Sequence, residues 1–167
     1  MSKITSNTPT IERILAACRT GSIEQLQEAI NEGSFDINGT DAVGNTALNL
    51  SVKSESLDCV NLLLKQEGLD LDIANKLEGN SPLHTAILNI RNMKLLEAIT
   101  QALLEHGANP KATNKEGLTA LDYACHGGSS YVEISDLLRN AIAALNMVYC
   151  IHCFKLMFLR DGRRRGQ

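Results

Sequence analysis

Two groups of residues in this 167-residue chain invite a reactive reading. Asp122, Cys125 and His126 supply a thiol nucleophile, a base and a carboxylate to orient it. Adjacent helical residues point about 100° apart, so Cys125 and His126 do not naturally face each other, and no catalytic residue is assigned. Cys150, His152 and Cys153 offer thiolate and imidazole ligands, but zinc needs four ligands and no second Cys/His pair stands at suitable spacing. Neither a metal nor a cofactor is expected. His106, before Gly107, reads as a polar or cationic helix C-cap. Cys18 and Cys59 lie on apolar helical faces and read as small core residues.

The elements that must position these side chains are announced by internal repetition. Gly44-Asn45-Thr46-Ala47-Leu48, Gly79-Asn80-Ser81-Pro82-Leu83-His84 and Gly117-Leu118-Thr119-Ala120-Leu121 share Gly-x-(Ser/Thr)-(Pro/Ala)-Leu, their glycines 35 and then 38 residues apart. Thr46, Ser81 and Thr119 can each accept a hydrogen bond from a free amide of a first helical turn, and Pro82 sits where proline wastes no donor. A helix is expected to start at each. A second apolar-periodic stretch follows in every copy: Cys59-Val60-x-Leu62-Leu63-Leu64, Leu95-Leu96-x-x-Ile99-x-x-x-Leu103-Leu104 and Val132-x-Ile134-x-x-Leu137-Leu138. That spacing makes an amphipathic helix. Gly68 and Gly107 are the expected stops of two of these second helices.

An N-terminal copy keeps two helical stretches, from Ile11 to Cys18 and from Ile23 to Ile30, joined at Thr20-Gly21-Ser22, and reads as an atypical cap. Four repeats are expected, near 9–41, 42–76, 77–114 and 115–145, between a flexible 1–8 and a tail at 146–167. The third is about five residues too long for the period, with the excess near 89–93 or in its second helix.

These motifs resemble those of the ankyrin-repeat family, whose signature is Thr-Pro-Leu-His-x-Ala. Ser81-Pro82-Leu83-His84-Thr85-Ala86 differs from it conservatively, and Gly107-Ala108-Asn109-Pro110-Lys111-Ala112-Thr113-Asn114-Lys115-Glu116-Gly117 is similar to a second hallmark, loosely repeated at 36–44. The resemblance implies an all-α solenoid of about four repeats with short hairpin loops, acting as a non-enzymatic adaptor for another protein. It also implies that His84 is structural, its ring bonding between neighbouring loops. In the family the hairpin tips and the exposed faces of the first helices line a concave surface. By register this surface holds Ala42, Val43, Asn45, Lys53 and Ser54, then Leu77, Glu78, Asn80, Leu88 and Asn89, then Lys115, Glu116, Leu118 and His126. Val43, Leu77, Leu88 and Leu118 are the expected apolar anchors, with charged residues as their rim.

Composition bounds the remaining classes. Sixteen basic against 19 acidic residues, net −3, give no reason to expect nucleic-acid binding, and no small-molecule substrate is indicated. Residues 1–145 hold 11 basic and 18 acidic side chains, a balance of −7, whereas 146–167 hold 5 basic and 1 acidic, a balance of +4. Five cysteines without regular spacing point to a reducing compartment, and the polar N-terminal stretch has no signal-peptide core, so a cytoplasmic or nuclear location is expected. The tail concentrates apolar residues from Met147 to Leu159 and then Arg163-Arg164-Arg165. Its readings are a cap on the last repeat, an interfacial membrane anchor backed by basic residues, a Cys/His site, or an unstructured extension. The alternative function is therefore a peripheral membrane-associated scaffold held by this tail.

Overall fold

Short polar side chains start most of the helices, and the hydroxyl residues foreseen as caps, Thr46, Ser81 and Thr119, are among them. The computed structural model describes residues 10–32 and 35–161, with side-chain surroundings through 146. Helix α1 spans Thr10–Thr20 and α2 Ile23–Asn31; α3 spans Ala47–Lys53 and α4 Leu57–Leu64; α5 spans Pro82–Asn89 and α6 Met93–Glu105; α7 spans Ala120–His126 and α8 Val132–Asp161. Thr46 Oγ1 accepts from Asn49 N at 3.2 Å, Ser56 Oγ from Cys59 N at 3.4 Å and Thr119 Oγ1 from Asp122 N at 3.2 Å. Each bond satisfies an amide that the first turn leaves free.

The eight helices form four antiparallel pairs. The first members stack as α1, α3, α5 and α7, and the second members as α2, α4, α6 and α8, each pair touching its sequence neighbours. This is an all-helical solenoid. Its core is one continuous apolar cluster in which Ile14, Leu26, Leu48, Leu63, Leu83, Leu96, Leu103, Ile134 and Leu138 are all less than 2% exposed. Burying one such side chain is worth about 1.5–3 kcal/mol, so the apolar period is what fuses the pairs.

Four details differ from the sequence expectations or refine them. The extra length of the third copy sits in α6, 13 residues against 8 in α4. Gly68 does not end α4, which closes at Leu64 with Lys65 as C-cap; Gly68 lies three residues further on, at φ +76° in the loop. Gly107 does end α6, since its amide donates to Leu104 O and that of Ala108 to Leu103 O, the paired bonds of a left-handed helix stop. The fourth pair also departs from its predecessors, because α8 runs unbroken for 30 residues across Leu145 to Asp161, a length of about 45 Å at 1.5 Å per residue. No helix among the described residues is long and apolar enough to cross a membrane.

Candidate partner-binding surface

The hairpin tips are built the same way three times. Asp41, Asn75 and Asn114 each fold a side-chain oxygen back onto amides of their own turn: Asp41 Oδ1 accepts from Val43 and Asn45, Asn75 Oδ1 from Glu78 and Gly79, and Asn114 Oδ1 from Glu116 and Leu118. A short carboxylate or carboxamide can reach its own backbone a few residues on, which is why these types hold turns. Burial works against the charge of Asp41, but hydrogen bonds from Asn45, Val43 and Arg19 outweigh it and hold its pKa below the usual value. Asn75 escapes the motif reading because its turn has one residue more before the glycine than those of Asp41 and Asn114.

Successive tips are tied to one another. Lys76 N donates to Val43 O and Lys115 N to Glu78 O, both at 2.9 Å. Gly44 and Gly79 lie at these crossings, with φ near +84° and +74° and with the neighbouring tip's backbone against them. His84 strengthens the same seam. Ser81 N donates to His84 Nδ1 at 3.3 Å, so the other nitrogen carries the proton, and Nε2 donates to Leu118 O of the next tip at 3.0 Å. The ring is 1% exposed and meets Tyr123 edge-on at 6.3 Å between centroids. Burial lowers its pKa from 6.5, opposed by the bond to Leu118 and the charge of Asp122.

The expected contact positions divide into three groups. Ala42, Lys53, Glu78, Asn89, Lys115, Glu116 and His126 are exposed, as are Val43 at 37% and Leu77 at 66%. Asn45, Ser54, Leu88 and Leu118 are half-buried, and Ser54 Oγ is already engaged with Cys18 O at 2.8 Å. Asn80 corrects the expected exposure: it is buried, its amide donating to Glu78 and its oxygen accepting from Asn114 Nδ2, so it joins two tips while its edge still lines the cleft between the second and third pairs. Asn45, Lys53, Glu78, Leu88 and Asn89 converge on one cleft of about 180 Å³ between the second and third pairs.

Of the residues that suggested catalysis, Cys125, His126 and Asp122 each have a defined bond. Cys125 Sγ accepts from Arg139 Nη2 at 3.5 Å, His126 Nδ1 donates to Asp122 O at 2.6 Å, and the Asp122 carboxylate accepts from the Thr119 amide and hydroxyl. Those Thr119 bonds keep the pKa of Asp122 below its ordinary value. Burial pushes the Cys18 thiol up to about 12 and raises that of Cys59, the behaviour of inert core residues. His106 Nδ1 donates to Ala102 O at 2.8 Å and caps its own helix. Cys150, His152 and Cys153 lie outside the residues whose side chains are described, as do the residues of the expected flexible segment 1–8 and the arginines at 163–165.

A family model described as ankyrin repeats (3 copies) matches residues 14–113 and 67–147. The E3 ubiquitin-protein ligase Ufd4 of Drosophila melanogaster is 37% identical over 120 residues, 71% of this chain and 4% of that protein. An ankyrin repeat-containing protein of Saccharomyces cerevisiae is 29% identical over 125 residues, 74% of this chain and 65% of its own length. An ankyrin repeat domain from Acinetobacter baumannii AYE superposes with a TM-score of 0.70 at 30% identity, covering 77% of this chain and 63% of that one. The chain thus spans less than two thirds of each. With its stacked helix pairs, its tied tips and these matches, the chain belongs to the ankyrin-repeat family, whose fold serves protein interaction and not catalysis.

Proposed function

We propose that this chain is a non-enzymatic protein-interaction module, an adaptor of the cytoplasm or nucleus, that takes its partner on the surface lined by the tips and the first helices. The observation that carries this reading is the contrast within the tips. Their backbones are bonded to one another, while Val43 and Leu77 stay 37% and 66% exposed beside the cleft that Lys53, Glu78 and Leu88 line. Apolar side chains held in water on a rigid frame cost little further ordering when a partner covers them. Leu118 is a weaker anchor than expected, since it is half-buried and its carbonyl is held by His84.

The test is affinity capture from cell extract with the full chain and with a Val43→Glu, Leu77→Glu variant of unchanged melting temperature. Partners captured by the first and lost by the second are the expected result. An identical set of partners for both would remove the tips from the binding surface.

A further inference from the structure

We propose that the inner groove between the third and fourth helix pairs seats a carboxylate side chain of an extended partner segment, with the Arg91 guanidinium as its cationic neighbour and the His126 ring beside it; this rests on the interaction surface proposed above. The groove is a second cleft, of about 300 Å³, lined among others by Leu88, Arg91, Tyr123, His126 and Tyr131. Leu88 also lines the first cleft, so the two meet at that residue and form one path across three helix pairs.

The two halves of this path differ in charge. Lys53 of the first cleft shares it with Glu78, whereas the second cleft has two basic residues and no carboxylate in its lining. Two acids stand close by, and both carboxylates already accept hydrogen bonds, Asp122 from Thr119 and Glu116 from the Tyr123 hydroxyl at the edge of the groove. Ion pairs among the described residues involve Arg13, Arg19 and Arg139, and Arg91 is in none of them. In a body whose balance over 1–145 is −7, such a spot selects an anion.

The floor narrows the choice of anion. Ile87 is buried and Leu88, Tyr123 and Tyr131 are half-buried, so a short methylene stem packs on them while its carboxylate takes a charge-assisted bond from the Arg91 guanidinium. The adjoining cleft suits the main chain of the same segment, because Asn45 and Asn89 line it with carboxamides whose nitrogens are held by Asp41 and Thr85 and whose oxygens can accept from peptide amides. A glutamate or aspartate within an extended stretch has both features.

The probe is an array of random 12-residue peptides, including phosphoserine versions, incubated with the full chain. Expected is enrichment of Glu or Asp among bound peptides, weakened about tenfold in an Arg91→Glu, His126→Glu variant and largely kept in Arg91→Lys, the loss corresponding to one charge-assisted bond. Both positions are exposed, and an unchanged melting temperature certifies the variants. Bound peptides that lack an acidic preference yet are lost in the Val43→Glu, Leu77→Glu variant would overturn this proposal and leave the interaction surface standing. Phosphoserine favoured over glutamate would overturn the carboxylate assignment. A chain that binds no peptide at all would overturn this proposal and leave the interaction surface to the capture experiment.

Discussion

His84 joins two repeats through one ring, and its environment sets its response to acid. Both nitrogens are engaged inside the protein, so replacing the ring by a methyl group leaves the Ser81 amide and the Leu118 carbonyl without it. His84→Ala is expected to lower stability by about 1–3 kcal/mol, read as a lower denaturant midpoint. Burial also holds this histidine below 6.5 in the folded state. The unfolded chain therefore takes up the proton first as pH falls, so the contribution of His84 is complete above about pH 6.5 and is lost as pH drops through the folded value. Denaturant melts at about pH 7.5 and about pH 5.5 should show wild type losing stability at the lower pH, and His84→Ala losing measurably less. An equal loss in both would place the acid response elsewhere. A solvent-facing histidine would give no such contrast, and the Ser81-Pro82-Leu83-His84 motif already marked this one as structural.

At the scale of elements, the turns between paired helices repeat one geometry with different residues. After α1 the amides of Gly21 and Ser22 return to Cys18 and Ala17, and after α3 those of Glu55 and Ser56 return to Val52 and Ser51. The first turn uses glycine at φ +71°, while the second forces Glu55 to φ +57°. A side chain in that left-handed region costs about 1–2 kcal/mol, so Glu55→Gly is expected to raise the melting temperature. A fall would mean that the Glu55 side chain contributes more than its backbone costs.

Gly107 at a helix stop and Gly44 at a tip give the opposite case. A Cβ on Gly107 would meet nothing within 4 Å, so a substitution there bears conformational strain alone. On Gly44 it would lie 2.6 Å from Lys76 Cγ and 2.8 Å from Lys76 N, against the bond that ties the two tips. Gly44→Ala should thus destabilise more than Gly107→Ala in chemical denaturation, although the helix-stop pattern draws attention first to Gly107. Gly107→Val remains costly, because a β-branched residue tolerates the left-handed region poorly.

For the whole molecule, each helix pair buries its flanks only against its neighbours, so no pair is expected to persist alone. Leu103 of α6 is fully buried within the continuous core. Leu103→Ala is expected to cost about 2–5 kcal/mol and to shift the melt as one transition, the same by circular dichroism and by tyrosine fluorescence from the fourth pair. Separate transitions would show that the pairs unfold independently.

Helix starts at Thr46, Ser81 and Thr119, the stop at Gly107 and the repeat period were legible in the sequence because each depends on residues within one or two turns. Asn80 shows where that reading ends: it occupies an exposed-tip position by register, yet its surroundings come from Asn114, 34 residues away. Arg91, Tyr123 and Tyr131 were likewise not legible as one groove, since the packing of α5 against α7 brings them together. Local capping and periodicity thus dictate the repeats and their apolar seams. Which polar and apolar side chains stay free for a partner follows from the stacking, because their burial is imposed by the neighbouring repeat.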